Sequence, residues 1–244
     1  MTERSAAAGA RTEMTFKVGP SDLEWKDGVL TLNFDEVSVP RPPAQWLPKR
    51  IKGTLRLDAG AITQQSFSID AKGEHQWWPI APSSRISLAF DDGDIPDWCG
   101  HGYLDCNWGL TGLEEAFTRW DWARGDLPDG RTVIFYDTQR RDGSADCLCL
   151  SIAPDGSFTH LDTPARTELG KGFWGVKRVG HSDAGTVPYV KTVLEDGPFY
   201  ARSVVQTQFE GQPLTLMHES LSGDRFASNI IKAMLCFRMP RRKL

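Results

Sequence analysis

Leu23-Glu24-Trp25-Lys26-Asp27-Gly28-Val29-Leu30-Thr31-Leu32-Asn33-Phe34 sets the grammar of the chain. Leu30, Leu32 and Phe34 alternate with Thr31 and Asn33, the period-two pattern of a strand with one buried face. Asp27-Gly28 between two apolar runs is a hairpin turn dipeptide, since a two-residue turn of this kind needs positive φ at both central positions. The pattern repeats. Residues 51–57 alternate Ile51, Gly53, Leu55 and Leu57 with Lys52, Thr54 and Arg56, and residues 84–90 bury Ile86, Leu88 and Phe90. Further strands are expected over 132–136, 147–152, 158–160, 172–179, 187–194, 199–209 and 214–221. Pro128-Asp129-Gly130, Arg141-Asp142-Gly143 and Pro154-Asp155-Gly156 supply turns between them. The proline-rich residues 40–48 read as loop or sheet edge. Short strands at this spacing predict an all-β, antiparallel barrel or sandwich. Helix is expected only over 113–117 and 224–237.

The 244 residues carry a net charge of −4, which argues against a nucleic-acid binder with a basic stripe. No run approaches the ~18 apolar residues of a membrane-spanning helix. Residues 1–15 are polar without an apolar core and read as a disordered or truncated end with no secretory signal. The cysteines, Cys99, Cys106, Cys147, Cys149 and Cys236, are odd in number, so reduced thiols and a cytoplasmic location are expected. Cys147 and Cys149 lie two apart on one strand face, unlike the spacing of zinc or redox pairs, and read as packed small hydrophobes. The tail over 238–244 is basic and follows Ile230, Ile231, Met234 and Leu235. It is either a solvated end or a peripheral contact with an anionic membrane surface.

Six of the nine tryptophans (Trp77, Trp78, Trp98, Trp108, Trp120 and Trp122) fall in two pieces, residues 75–82 and 98–122. Such rings bury large apolar areas and want a partner for their N–H, so the two pieces are expected to line one pocket. Read as a strand, residues 102–108 put Tyr103, Asp105 and Asn107 on one face and Leu104, Cys106 and Trp108 on the other. A carboxyl enclosed among aromatics is held protonated by desolvation, which makes Asp105 a candidate general acid. The competing reading pairs it with Arg119 or Arg124. Trp120 and Trp122 face one side of their strand and Asp121 the other. His75 beside two tryptophans reads equally as a hydrogen-bonded core residue. No paired-histidine metal motif, nucleophile elbow or phosphate loop is present, so no metal is expected.

The blocks His75-Gln76-Trp77-Trp78-Pro79-Ile80-Ala81-Pro82, Gly100-His101-Gly102-Tyr103-Leu104-Asp105, Trp120-Asp121-Trp122-Ala123-Arg124 and Leu127-Pro128-Asp129-Gly130-Arg131 resemble the acyclic carotenoid 1,2-hydratase family. Glu195-Asp196-Gly197-Pro198-Phe199-Tyr200-Ala201-Arg202-Ser203 and His218-Glu219-Ser220-Leu221 extend the similarity over nearly the whole chain. The resemblance implies a lipocalin-like β-barrel fold in two barrel-like halves, the first incomplete because the chain starts inside the family pattern. Residues 16–93 would then finish the first half and residues 94–244 form the second. It implies a lyase that needs no cofactor and hydrates acyclic carotenoids such as neurosporene or lycopene. Asp105, Tyr103, His75 and Trp77 would be catalytic, and Trp78, Trp108, Trp120 and Trp122 would hold the substrate. Water and the carotenoid would be the partners, met in the cytoplasm or peripherally at the inner membrane. Two other functions stay open: a non-catalytic carrier of an apolar ligand, for which Asp105 is dispensable, and a terpenoid isomerase or cyclase that adds no water.

Overall fold

The computed structural model describes residues 4–38, 40, 43 and 45–238, with side chains to Met234. The chain forms two compact units that are discontinuous in sequence. One comprises Met1–Gly60, Ser83–Leu104 and Ala233–Leu244, the other Ala61–Pro82 and Asp105–Lys232. This partition differs from the sequence-order division expected at residue 93, because two long strands each run from one unit into the other.

The strands of the first part of the chain are β1 (Gly9–Arg11), β2 (Thr15–Val18), β3 (Ser21–Lys26), β4 (Val29–Val37), β5 (Arg50–Asp58), β6 (Phe67–Ser68), β7 (His75–Phe90) and β8 (Trp98–Gly109). They are antiparallel in the order β1-β2-β3-β4-β5-β7-β6, with β8 also on β7. The hairpin of β3 and β4 turns where expected, with φ of 49° at Asp27 and 78° at Gly28, both in the left-handed region such a turn requires. Register then stacks apolar rows across three strands of the first unit. Leu30 pairs with Leu57 and that with Ile86, while Leu32 pairs with Leu55 and that with Leu88. Phe34 and Phe90 meet edge-on at 5.9 Å across Gly53. The disorder expected over residues 1–15 is not what the structure shows from Arg4 onward. A 3₁₀ turn at Ala6–Ala8 leads into β1, whose side chains are all exposed. Backbone pairing to β2 holds it, which hydrophobic periodicity cannot reveal.

The second unit holds a short helix α1 (Leu113–Ala116) and then β9 (Phe117–Asp126), β10 (Thr132–Arg140), β11 (Ala145–Ile152), β12 (Phe158–His160), β13 (Ala165–Leu169), β14 (Arg178–Ser182), β15 (Tyr189–Asp196), β16 (Tyr200–Phe209) and β17 (Gln212–Ser222). Seven of these form one antiparallel sheet in the order β12-β11-β10-β9-β17-β16-β15, and β13 pairs with β14 separately. Among the described residues no ladder closes either large sheet on itself. One face of the seven-stranded sheet carries the core, including Ala123, Val133, Phe135, Cys149, Val205, Phe209, Leu214 and Leu216. The strand expected over 172–179 begins only at Arg178, because Gly172 and a left-handed Gly175 (φ 66°) turn the backbone first. Two helices replace the one expected near the end: α2 (Gly223–Phe226), capped by Ser222, and α3 (Asn229–Arg238). No described helix is long and apolar enough to cross a membrane. The basic residues 239–244 lie outside the described residues.

Candidate active site

Strand β7 buries His75, Trp77, Pro79 and Ala81 and leaves the residues between them half-covered up to Pro82, the alternation of a one-sided strand. Pro79 and Pro82 would break a continuous ladder. Here they fall between β7's pairing to β6 at Gln76 and Trp77 and its pairing to β5 from Arg85.

Trp77 is fully buried and stacks obliquely on Phe67 at 6.0 Å. Its indole N–H donates to Asp105 Oδ2 on β8 at 2.8 Å. Asn107, two residues on and on the same face, donates to the same oxygen at 3.5 Å. Both donors go to one oxygen and leave Oδ1 without either of them. Asp105 itself is half-buried. Tyr136 of β10 closes the cluster. Its ring meets Trp77 edge-on at 5.3 Å and Trp120 at 5.9 Å, and its hydroxyl donates to Asn107 Oδ1 at 3.2 Å. Burial first, then the charge of Asp105, pushes the Tyr136 phenol far above its usual range, so it stays neutral and acts as a donor.

The structure thus joins Asp105, Trp77 and Trp120 through Tyr136. Trp122, buried, is the direct cross-strand neighbour of Tyr136 and shares its face. His75 sits two residues before Trp77 on the same side, but its ring bonds Thr111 Oγ1 at 3.0 Å and packs on Phe117 at 5.1 Å. Tyr103 lies half-buried two residues before Asp105 on β8. Trp78 points to the other face of β7, where its N–H bonds Thr63, and Trp108, 47% exposed, lies on the other face of β8 from Asp105. Neither is brought to the carboxyl. The arginines of the competing reading are engaged elsewhere: Arg119 with Asp121, and Arg124 with Asp126 and the Pro82 carbonyl. Tyr136 is the site residue that sequence reasoning missed, since its place depends on the register of β9 and β10.

The opposite face of the same sheet carries two further carboxylates. Asp121 is 2% exposed and accepts from Ser220 Oγ at 2.5 Å and Val179 N at 3.1 Å. Arg119 Nε lies 3.0 Å from its other oxygen, out of line for a hydrogen bond, so that contact is ionic. Desolvation raises the Asp121 pKa despite Arg119, His218 and Ser220 pulling it down. Asp137 bonds His181 Nε2 at 2.6 Å. Burial pulls the imidazole down, but Asp137 and Cys147 outweigh it and push His181 up to about 10.

Compared with known proteins, the chain matches the family described as carotenoid hydratase CrtC over residues 1–244. It is 40% identical over 242 residues to an acyclic carotenoid 1,2-hydratase of Thiocapsa roseopersicina, covering 99% of this chain and 58% of that one. One from Rubrivivax gelatinosus is 37% identical over 243 residues, with the same two coverages. The chain therefore spans little more than half the length of these two relatives. Against an acyclic carotenoid 1,2-hydratase of Rhodobacter capsulatus it is 36% identical over 245 residues and covers 84% of that protein. The solved structure of an AttH from Nitrosomonas europaea superposes with a TM-score of 0.54 over 89% of this chain and 72% of the other, at 16% identity. That likeness speaks for the fold alone.

Proposed function

The chain belongs to the carotenoid hydratase CrtC family, and from that membership we propose that it adds water across the terminal 1,2 double bond of an acyclic carotenoid. The observation that supports the reading most is the carboxyl of Asp105 held by the N–H of a buried tryptophan. Hydrating an isolated trisubstituted alkene requires protonation at carbon. In this reading Asp105 Oδ1 gives its proton to the alkene and leaves a tertiary carbocation. The Trp77 and Asn107 donors stabilise the carboxylate so formed. In this reading the π faces of the aromatic cluster around Trp77, Trp120 and Tyr136 stabilise the cation, an attraction of about 0.5–2 kcal/mol per ring contact. Water attacks the cationic carbon, and its released proton returns to Asp105. Atoms balance: one proton leaves and one comes back. The half-exposure of Asp105 fits a site whose enclosure is completed by the substrate, since an apolar polyene laid over the carboxyl removes the remaining water.

The water-insoluble substrate is met at a membrane surface, a reading supported by the exposure of Ile230 (75%) and Met234 (38%) on α3 ahead of the basic tail. The test is product analysis with lycopene or neurosporene in detergent or membranes, without added metal, nucleotide or flavin. A mono-hydroxylated product is expected. Bound but unchanged carotenoid would return the chain to a carrier, and a rearranged product without oxygen to an isomerase or cyclase.

A further inference from the structure

Behind Tyr136, on the core face of the second unit's sheet, Asp137 of β10, Cys147 of β11 and His181 of β14 converge. Their three candidate donor atoms all lie within 4.8 Å of one another. Nε2 of His181 is 2.6 Å from Asp137 Oδ2 and 3.7 Å from Cys147 Sγ. The imidazole is fixed from behind. Its Nδ1 lies 3.1 Å from the carbonyl of Pro164, and its ring stacks on Phe135 at 5.2 Å. A backbone carbonyl on the rear nitrogen is the outer-shell arrangement that sets the tautomer of a metal-bound histidine and aims Nε2 forward. Arg166 Nε lies 3.7 Å from the other Asp137 oxygen, and Oδ2 is the oxygen that meets the imidazole.

We propose that Asp137, Cys147 and His181 form a binding site for a divalent zinc-class ion. The donor set is one sulfur, one imidazole nitrogen and one carboxylate oxygen, a mixture that Zn²⁺ accepts, whereas hard cations such as Mg²⁺ take oxygen ligands and not the thiolate. Tetrahedral Zn²⁺ with its usual bond lengths places S and N about 3.6 Å apart and N and O about 3.3 Å apart. The S–N distance already matches. The N–O distance must open by about 0.7 Å, which a rotation of the Asp137 carboxyl provides. Three protein ligands leave the fourth position to water. A cleft of about 420 Å³ lined by Thr163, Pro164 and Ser182, among others, opens beside the carbonyl that holds His181. Bound there, the ion would tie the β13–β14 pair to the main sheet. Cys147, read from the sequence as a packed small hydrophobe, becomes a ligand in this proposal. No sequence spacing signals the site, because its ligands come from three strands and lie 10 and 34 residues apart. The proposal stands apart from the chemistry assigned to Asp105.

The probe is Co²⁺ alone, titrated into the full chain after chelator treatment and with a phosphine reductant keeping the thiols reduced. Binding at one ion per chain should give thiolate-to-cobalt charge transfer in the near ultraviolet and tetrahedral ligand-field bands in the visible. Zn²⁺ should bleach both and raise the Tm. Cys147→Ser should lose the charge-transfer band, while Cys106→Ser and Cys149→Ser keep it. Asp137→Asn should weaken Co²⁺ binding more than about tenfold, the least that loss of even an outer-shell partner costs. That variant keeps the test decisive if Cys147→Ser does not fold. Absence of the charge-transfer band in the native chain, its survival in Cys147→Ser, or unchanged affinity in Asp137→Asn would overturn the proposal.

Discussion

Asp105 and Asp121 both belong to tryptophan-rich motifs, yet they sit in opposite circumstances. Asp105 is half-buried, faces aromatic rings, and is held through one oxygen by Trp77 and Asn107. Asp121 is enclosed on the core face behind Trp120 and Trp122, with Ser220, Val179 and Arg119 around it. Burial shifts Asp121 upward, which favours its protonated form. It is also walled off by its own strand. The indole and phenol rings of Trp77, Trp120 and Tyr136 are all on the other face, and it is these that the proposed mechanism uses, so in that reading placement outweighs a perturbed pKa. The two carboxylates should then separate by what fails when each is changed.

The largest effect is expected at Asp105. Asp105→Asn keeps shape and an acceptor for the Trp77 N–H but has no proton to give. General acid catalysis contributes ~10²–10⁴-fold, so kcat should fall by at least that much while the Tm stays near native. Asp121→Ala should behave the other way round. It strands a largely buried Arg119 and two hydrogen-bonding partners, Ser220 Oγ and Val179 N, and loss of one member of a buried ion pair costs up to about 3–5 kcal/mol. The 16% exposure of Arg119 keeps the loss toward the lower end. Denaturant unfolding and steady-state turnover on both variants decide the matter. Native-like turnover in Asp105→Asn, with turnover abolished in a folded Asp121→Asn, would exchange their roles.

Trp77→Phe comes next. It keeps a buried ring but removes the donor to Asp105 Oδ2. A hydrogen bond to a charged group is worth about 1.5–3 kcal/mol, which as transition-state stabilisation is about ten- to hundredfold in kcat. The loss should appear in kcat with KM little changed, because the carboxylate forms only as the proton leaves. A pure KM effect would make Trp77 a wall of the binding surface and nothing more.

How much of this was legible in the residues depends on how local each signal is. The β3–β4 hairpin could be read because Asp27-Gly28 and the alternation of Leu30, Leu32 and Phe34 are adjacent in sequence and sufficient by themselves. Strand β1 could not, having no buried side chain, and the 172–179 segment misled because Phe173 and Trp174 look like strand residues yet ride a glycine turn. At the site, strand alternation put Asp105 and Asn107 on one face correctly, and family motifs supplied Trp77. Tyr136 was hidden because nothing near it in sequence marks it. Its place follows from the β9–β10 register that sets it opposite Trp122. Trp78 and Trp108 show the converse limit: membership of a motif does not say which way a ring points.

The finest test of the two-face picture removes one hydroxyl from each side. Tyr136→Phe deletes the 3.2 Å hydrogen bond to Asn107 and leaves the ring against Trp77 and Trp120. An ordinary hydrogen bond contributes about 0.5–1.5 kcal/mol, and this one reaches Asp105 only through Asn107, so kcat should drop a few-fold to about tenfold. Ser220→Ala deletes a 2.5 Å bond to the buried Asp121 carboxyl. It should lower unfolding stability by about 1.5–3 kcal/mol and leave turnover unchanged when assayed well below the Tm. The Tyr136→Phe effect is the smaller and the more telling, since it acts on the face of the proposed acid without changing charge or packing. Should Ser220→Ala slow turnover as much as Tyr136→Phe does, the sheet would be transmitting the state of Asp121 to the aromatic face, and the separation of the two carboxylates would fail.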